Sequence, residues 1–448
     1  MRALLVYILF FGFYACQSAS KPSEKTLVVN QPSKLNRSMP WLWTCGFLRF
    51  QDSVSIAELK QKNTNIFVLQ GTEHLAKQIQ PGLNYTPISR NQFIKKHYNE
   101  GILFLPLDSM HMQLKALVAD SLFYFSSPLV WKWYQNGLDS FQFNANITKF
   151  THTGVTAITR ATGNCIDRIG PNAYIANILP YFQNSDYVHI SNEVSFDTNC
   201  LYKPGMSFCT KAIHFEILKA LHVNLVELTG NHNKDYGPQT FINTYEWYIK
   251  NNIKPFGGGR NEDESSQALI LNLKGGQRLA LLGFNESCPS GECAVNKIPG
   301  AQRYSEDFAK SKIAQLKASG VNFIVVGVQF NESDHYAPLP KQIQIAKKLI
   351  DFGADMVYGS QAHVIQHVEF YKGKIIYYGL GNFLFDQIHS RGVRQAMFMD
   401  HYFYKGQLIA TRHWYTYMQQ DRIPNLAPYT EKRHIQSQIW LPNLLLNH

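Results

Sequence analysis

Nowhere in the 448 residues do two cysteines form a C-x-x-C pair, which removes the thiolate clusters on which structural zinc sites are built. Charge is scarce too, at 17% Asp, Glu, Lys and Arg, and the Lys and Arg residues behind the formal net charge of +11 are scattered. There is no basic helix and no nucleic-acid motif, so the surplus reads as a solvated basic surface rather than a DNA or RNA site. No apolar run has the ~20 residues a membrane helix needs, and 45% hydrophobic residues rule out wholesale disorder. Internal repeats and low-complexity tracts are missing. What remains is a globular chain, long enough for one large and one small domain. Its basic balance suits anionic partners, such as a polyanionic polymer or acidic headgroups.

Met1-Arg2 and the apolar stretch Ala3 to Ala15 read as an export signal over residues 1–15. Cys16 follows directly, and residues 16–39 are polar and linker-like. This resembles a bacterial lipoprotein signal, with Cys16 lipidated as the mature N-terminus; ordinary cleavage near Ala15 or Ala19 is the other reading. Six further cysteines in an exported chain suggest disulfides. Cys200 with Cys209, and Cys288 with Cys293, are the natural local pairs, leaving Cys45 and Cys165; buried free thiols are the alternative for all of them.

Residues 40–146 read as a small α/β domain, with strands at 65–70 and 101–107 and helices at 55–62 and 91–98. Its aromatic run over 123–143 reads as interdomain packing or a stacking surface. From 147 to 400, short β-branched runs alternate with helix-length amphipathic segments, an α/β pattern. Strands are expected at 150–158, 187–191, 223–228, 268–273, 279–284, 323–329, 356–358, 368–371 and 375–380. Helices are expected at 171–182, 210–222, 238–251, 306–319 and 340–352. Lys372-Gly373-Lys374 predicts a hairpin turn, and 401–448 is expected to pack on the core as an extension.

Polar clusters follow several of these strands: Asn192-Glu193, Gly230-Asn231-His232, Gln329 with Glu332, and Gln361-Ala362-His363. Open α/β sheets gather ligand groups at strand ends of this kind. A carboxylate, two imidazoles and amide oxygens suit a divalent first-row metal, whose bound water can attack an ester or amide.

The order and spacing of the motifs resemble the capsule-synthesis protein CapA family, the poly-γ-glutamate capsule and export proteins. The resemblance rests on TGVTAITR (153–160), Ser191-Asn192-Glu193, TGNHNKDYG (229–237), the helix from Pro340 ending in Phe352-Gly353-Ala354-Asp355, GSQAHVIQ (359–366) and YGLGNFLFDQ (378–387). It implies a layered α/β/β/α metallophosphatase-like domain after the small one. It gives Glu193, Asn231 and His363 as ligands of a divalent ion, with Mn, Zn and Mg not distinguished, and His232 as general acid. Arg160 would steady an anionic group, or form a structural ion pair. Asn192, Gln329, Glu332, Gln361 and Asn382 would face the substrate. Two departures weaken a metal centre: Val155 stands where the family carries the Asp of Gly-Asp, and Gln361 where it carries the first His of His-x-His. A full two-metal site is not expected; one ion, or none, is.

The resemblance implies an exported, lipid-anchored envelope protein that makes, exports or processes an anionic surface polymer, by metal-dependent hydrolysis or transfer at an amide or ester bond. The competing reading is a noncatalytic polymer-binding or assembly lipoprotein with a degenerate metal site. Expected partners are the polymer, the membrane through the lipid anchor, and other capsule-assembly proteins; nucleic acid is not expected.

Overall fold

Two stacked sheets form the body, and the alternation of apolar residues along their strands explains the stacking. Along Arg278–Asn285, Leu279 and Leu281 join Phe323, Val325, Met356 and Tyr358 in the layer between the sheets. Ala280 and Leu282 face outward with Ile324, Val326 and Val357, under the helices Glu306–Ala318 and Pro340–Phe352. The other sheet does the same: Phe150 and Leu225 point inward, while Val188, Ile190 and Val226 pack under the helices Arg160–Ile169, Glu216–Ala220 and Pro238–Lys250. A strand buried on both faces needs apolar residues at every position. The result is the helix–sheet–sheet–helix layering expected from the resemblance. This computed structural model describes residues 41–120, 146–203, 205–289 and 291–440; Cys16, the export signal and linker, and the aromatic run at 123–143 lie outside the described residues.

In the first sheet the order is Lys254–Phe256, Leu225–Glu227, Tyr187–Asn192, Ile147–Thr156, Gln395–Tyr404, Gln407–Tyr417, with Asn382–Leu384 pairing Ile147–Thr156 as a seventh strand. The first four run parallel, and the last two are antiparallel. In the second, Arg278–Asn285, Phe323–Gln329, Met356–Ser360 and Lys374–Tyr377 are parallel, with antiparallel edge strands Leu269–Asn272 and Val368–Tyr371. The hairpin expected at Lys372-Gly373 is present, with φ of 50° and 74°.

Residues 41–116 build their own five-stranded sheet, ordered Asn84–Ile88, Asn65–Leu69, Leu103–Pro106, Trp41–Gly46, Leu114–Ala116. Leu42, Leu103 and Leu105 bury their side chains against Ile147, Tyr402 and Ile409. Its short helices start where a serine can cap them: Ser55 accepts from the Glu58 amide, and Ser89 forms a capping box with Gln92.

Several expectations are corrected. The segment 171–182 breaks into Pro171–Ile175 and a tight turn at Leu179–Tyr181, because Pro180 has no N–H to continue a helix. The segment 210–222 likewise divides into a turn at Ala212–Phe215 and the short helix Glu216–Ala220. The boundary placed at residue 400 falls inside a strand: Gln395–Tyr404 and Gln407–Tyr417 form a long hairpin that completes the first sheet, turning at Lys405-Gly406, where both φ are positive at 48° and 73°. Cys200 bonds Cys209 and Cys288 bonds Cys293, while Cys45 and Cys165 are buried free thiols.

Candidate functional site

The carboxyl ends of four parallel strands, two from each sheet, deliver the polar side chains. Glu193 follows Tyr187–Asn192, and Asn231 and His232 lie in the turn after Leu225–Glu227. Gln329 ends Phe323–Gln329, and Gln361 and His363 follow Met356–Ser360. Turns at such ends are free to adopt left-handed backbone; φ is 75° at Gln361 and 57° at His363. Conformations of this kind persist only where surrounding structure enforces them. The floor also depends on close backbone approach: a Cβ on Gly154 would lie 2.3 Å from the Gly381 carbonyl oxygen, so this crossing of Ile147–Thr156 with the Leu380–Gly381 segment requires glycine.

At the centre, Gln329 Nε2 donates to both Asn231 Oδ1 (2.8 Å) and Gln361 Oε1 (2.7 Å). This joins the two sheets by a row of three neutral amides, and Gln329 Oε1 is left buried without a partner. Beside it stands Glu193, 1% exposed, with Oε1 also unpartnered. Burial raises the Glu193 carboxyl above its ordinary range, against the pull of His363 and His232. His363 Nδ1 donates to Asn382 Oδ1 (2.9 Å), since an amide oxygen can only accept. That leaves Nε2 pointing at Glu332, 3.7 Å away.

His232 has its own support. Its Nδ1–H donates to Asp235 Oδ2 (2.8 Å), which also accepts from the Phe208 amide (2.6 Å). Phe208, next to the Cys200–Cys209 disulfide, covers the imidazole at 4.1 Å between ring centres. Burial alone would lower the imidazole; Asp235 and Glu193 outweigh it, so His232 is held above its ordinary value. With Nδ1 fixed, Nε2 is the nitrogen that can give a proton to a bound group. On the other flank, the loop closed by Cys288–Cys293 brings in Glu292, whose carboxyl burial raises to about 7 despite Lys234.

The structure thus gathers Glu193, Asn231, His232, Gln329, Gln361 and His363. Asn382 serves as the orienting partner of His363 rather than as a surface for substrate: its Nδ2 is also committed, to Gln387 and the Val393 carbonyl. Asn192 turns its amide into its own loop, donating to the Val194 carbonyl at 2.7 Å. Glu332 is exposed at the rim. Arg160 is a structural ion pair instead of a free anion clamp: Nη2 and Nε grip Asp386 at 2.6 and 3.2 Å, and its guanidinium lies 4.4 Å over Phe208. Sequence reasoning missed Asp235, Phe208, Glu292 and Asp386. For Asp235 a signal existed, three residues beyond His232 in the same turn; the others meet the site only through tertiary folding.

The donors do not fit a divalent metal centre. Val155, whose aliphatic side chain offers no ligand atom, is buried among Ala157, Val194, Phe208 and Phe385. Asn231 Oδ1 already accepts a hydrogen bond from Gln329, and Gln361 Oε1 does too. Among the described residues no three His, Cys, Asp or Glu side chains converge on one point. Neutral amides supply little of the binding energy that carboxylates and imidazoles give a first-row ion.

Comparison with known proteins agrees with the motif reading. The chain is 29% identical over 261 residues to the capsule biosynthesis protein CapA of Bacillus anthracis, a match covering 56% of this chain and 63% of that protein. It is 26% identical over 268 residues to the PGA biosynthesis protein CapA of Bacillus subtilis, covering 58% and 69%. The match therefore spans under two thirds of the first relative's length. Among solved structures, a 5'-nucleotidase precursor from Thermus thermophilus aligns with a TM-score of 0.40 at 14% identity, over 65% of this chain and 58% of that one. The family described as bacterial capsule synthesis protein PGA_cap matches residues 145–387, more than half of the chain, and the chain belongs to that family.

Proposed function

We propose that this protein serves the synthesis or export of an anionic surface polymer of the poly-γ-glutamate kind, holding a stretch of the polymer in the cleft at Asn231, Gln329 and Gln361. The amide row carries this reading. A poly-γ-glutamate backbone is itself a chain of amides, and Gln329 Oε1, buried without a partner, offers an acceptor to a backbone N–H. His232 above its ordinary pKa, and the +11 surface, supply attraction for the side carboxylates. Work at the cell envelope, anchoring through Cys16 and contact with other capsule-assembly proteins belong to the same proposal. No helix among the described residues is long and apolar enough to cross a membrane.

One observation favours a second, catalytic reading: the His232–Asp235 pair beside Glu193 is arranged to donate a proton to a leaving amine. In it the protein would cut or transfer the polymer at an amide bond. Metal analysis and binding decide between these. The purified protein, loaded with Mn2+ or Zn2+ and dialysed, is expected to retain no stoichiometric ion and to bind poly-γ-glutamate oligomers, with Gln329→Leu weakening binding. Polymer shortening by wild type but not by His232→Ala would establish the catalytic reading. A stoichiometric ion lost in His363→Ala would overturn the metal-free one, and equal binding of neutral dextran would sink both.

A further inference from the structure

A second cavity, of about 750 Å3, lies between the hairpin turn at Lys372-Gly373, the helix Arg90–Lys96 and Gln113, just before the strand Leu114–Ala116; it shares no lining residue with the cleft. Turn and cleft stand at opposite ends of the second sheet. The turn precedes Lys374–Tyr377, which runs parallel to Met356–Ser360, and the cleft follows the carboxyl end of that neighbour. With a rise of ~3.3 Å per residue, the strand Met356–Ser360 alone separates the two by roughly 17 Å. The charges lining the cavity are not all matched. Lys372 is committed to Asp351 at 2.5 Å, and Glu100 lies 4.0 Å from the His97 imidazole. Lys95 and Lys96, both exposed in the last turn of the helix, have no carboxylate partner among the described residues. Once Lys372 is paired, two ammonium groups face the single carboxylate of Glu100. A helix carboxyl end favours cations, so this surplus stands there unpaired and open to a ligand.

Uncharged groups beside the cations narrow the class of anion. The side-chain amides of Asn91, Asn99 and Gln113 line the cavity, and none has a partner among the described residues. Tyr98, 6% exposed, and the half-buried Ile94 supply the apolar part of the wall. Each amide offers donors and an acceptor, whereas an ammonium offers donors only. The set therefore complements a chain with N–H and C=O groups in its backbone and carboxylates on its branches. A polyphosphate would leave the amide oxygens without a donor. The volume falls within the ~300–1,000 Å3 of small-molecule sites, which is room for a short run of such a chain.

We propose that this cavity is a second holding site for the anionic polymer, with Lys95 and Lys96 on its carboxylates and Asn91, Asn99 and Gln113 on its backbone amides. It rests on the polymer reading of the cleft, and the test tells the two sites apart. The full-length protein is titrated calorimetrically with γ-glutamyl trimers, and two binding sites per chain are expected. Lys95→Gln combined with Lys96→Gln should weaken one of them about tenfold, two exposed ion pairs together being worth roughly that factor, and leave the other unchanged. Gln329→Leu should do the reverse. Oligomers of about thirty residues, long enough to engage both sites, should gain over the trimer by about tenfold more in wild type than in either variant. Both lysines are exposed, so their replacement leaves the fold intact. A single trimer site, weakened by Gln329→Leu and untouched by the lysine pair, overturns this proposal and leaves the cleft reading standing. A single site weakened by the lysine pair alone supports the cavity and refutes the cleft. No saturable binding, or equal binding of trimers with methyl-esterified carboxylates, overturns both.

Discussion

His401 lies in the layer between the two sheets, with no exposed surface, and its replacement should make the protein less sensitive to acid. Its Nδ1 meets Thr411 Oγ1 at 2.9 Å, Nε2 has no partner, and the rings of Phe150 and His152 lie 6.1 and 5.9 Å away. Burial pushes the imidazole down to about 3. A folded pKa below the unfolded one means that stability is fully present above the unfolded value, ~6.5, and is lost as pH falls from there towards 3. Between pH 7 and pH 5 the unfolded imidazole takes up most of a proton and the folded one almost none, which favours unfolding by about 2 kcal/mol. Other groups shift too; Glu292, raised to about 7, is relieved by acid and acts in the opposite direction. Comparison of wild type with His401→Asn cancels those terms, and the asparagine amide can still reach Thr411. Urea unfolding followed by tryptophan fluorescence at both pH values should show the variant losing about 2 kcal/mol less than wild type on acidification. Equal losses in the two proteins would refute the reasoning.

Three further perturbations follow from the packing. Tyr358→Phe removes the donor 3.0 Å from Glu227 Oε2 in the fully buried layer between the sheets and should cost about 2 kcal/mol in urea unfolding; no change would mean that another donor serves that carboxylate. The double change Cys200→Ser with Cys209→Ser should lower stability by about 2–4 kcal/mol, measured by thermal unfolding, and should leave the protein more stable than fully reduced wild type, in which Cys288–Cys293 is open as well. Val155→Asp places a carboxylate in an apolar cluster at a site 1% exposed and should cost about 3 kcal/mol or more. Tolerance of that change would show that the side chain can reach a cation or water.

Much of the second sheet was legible because its strands are fully buried: runs such as Phe323–Gln329 and Arg278–Asn285 carry Val, Ile, Leu and Phe on both faces and end in polar turns. The hairpin Gln395–Tyr404 and Gln407–Tyr417 was not, since Asp400, His401, Arg412 and His413 interrupt its apolar pattern, although Asp400 and His401 are buried in the fold. In the site, the residues at strand ends were legible from the punctuation of Gly, Asn and Asp. Their commitments were not. Arg160 meets Asp386 across 226 positions, and nothing local distinguishes an arginine already paired from one awaiting a ligand.

The row Asn231–Gln329–Gln361 carries no formal charge, and in the proposed role this would separate two stages of holding a polyanion. Attraction by the basic surface acts over a screening length of ~8 Å at physiological ionic strength and ~3 Å in molar salt, so the rate of capture falls as salt rises. Hydrogen bonds from buried amides feel little of that screening, and the rate of escape stays nearly constant. On the proposal that the cleft holds such a polymer, a chain caught in dilute medium is retained when the surroundings turn briny.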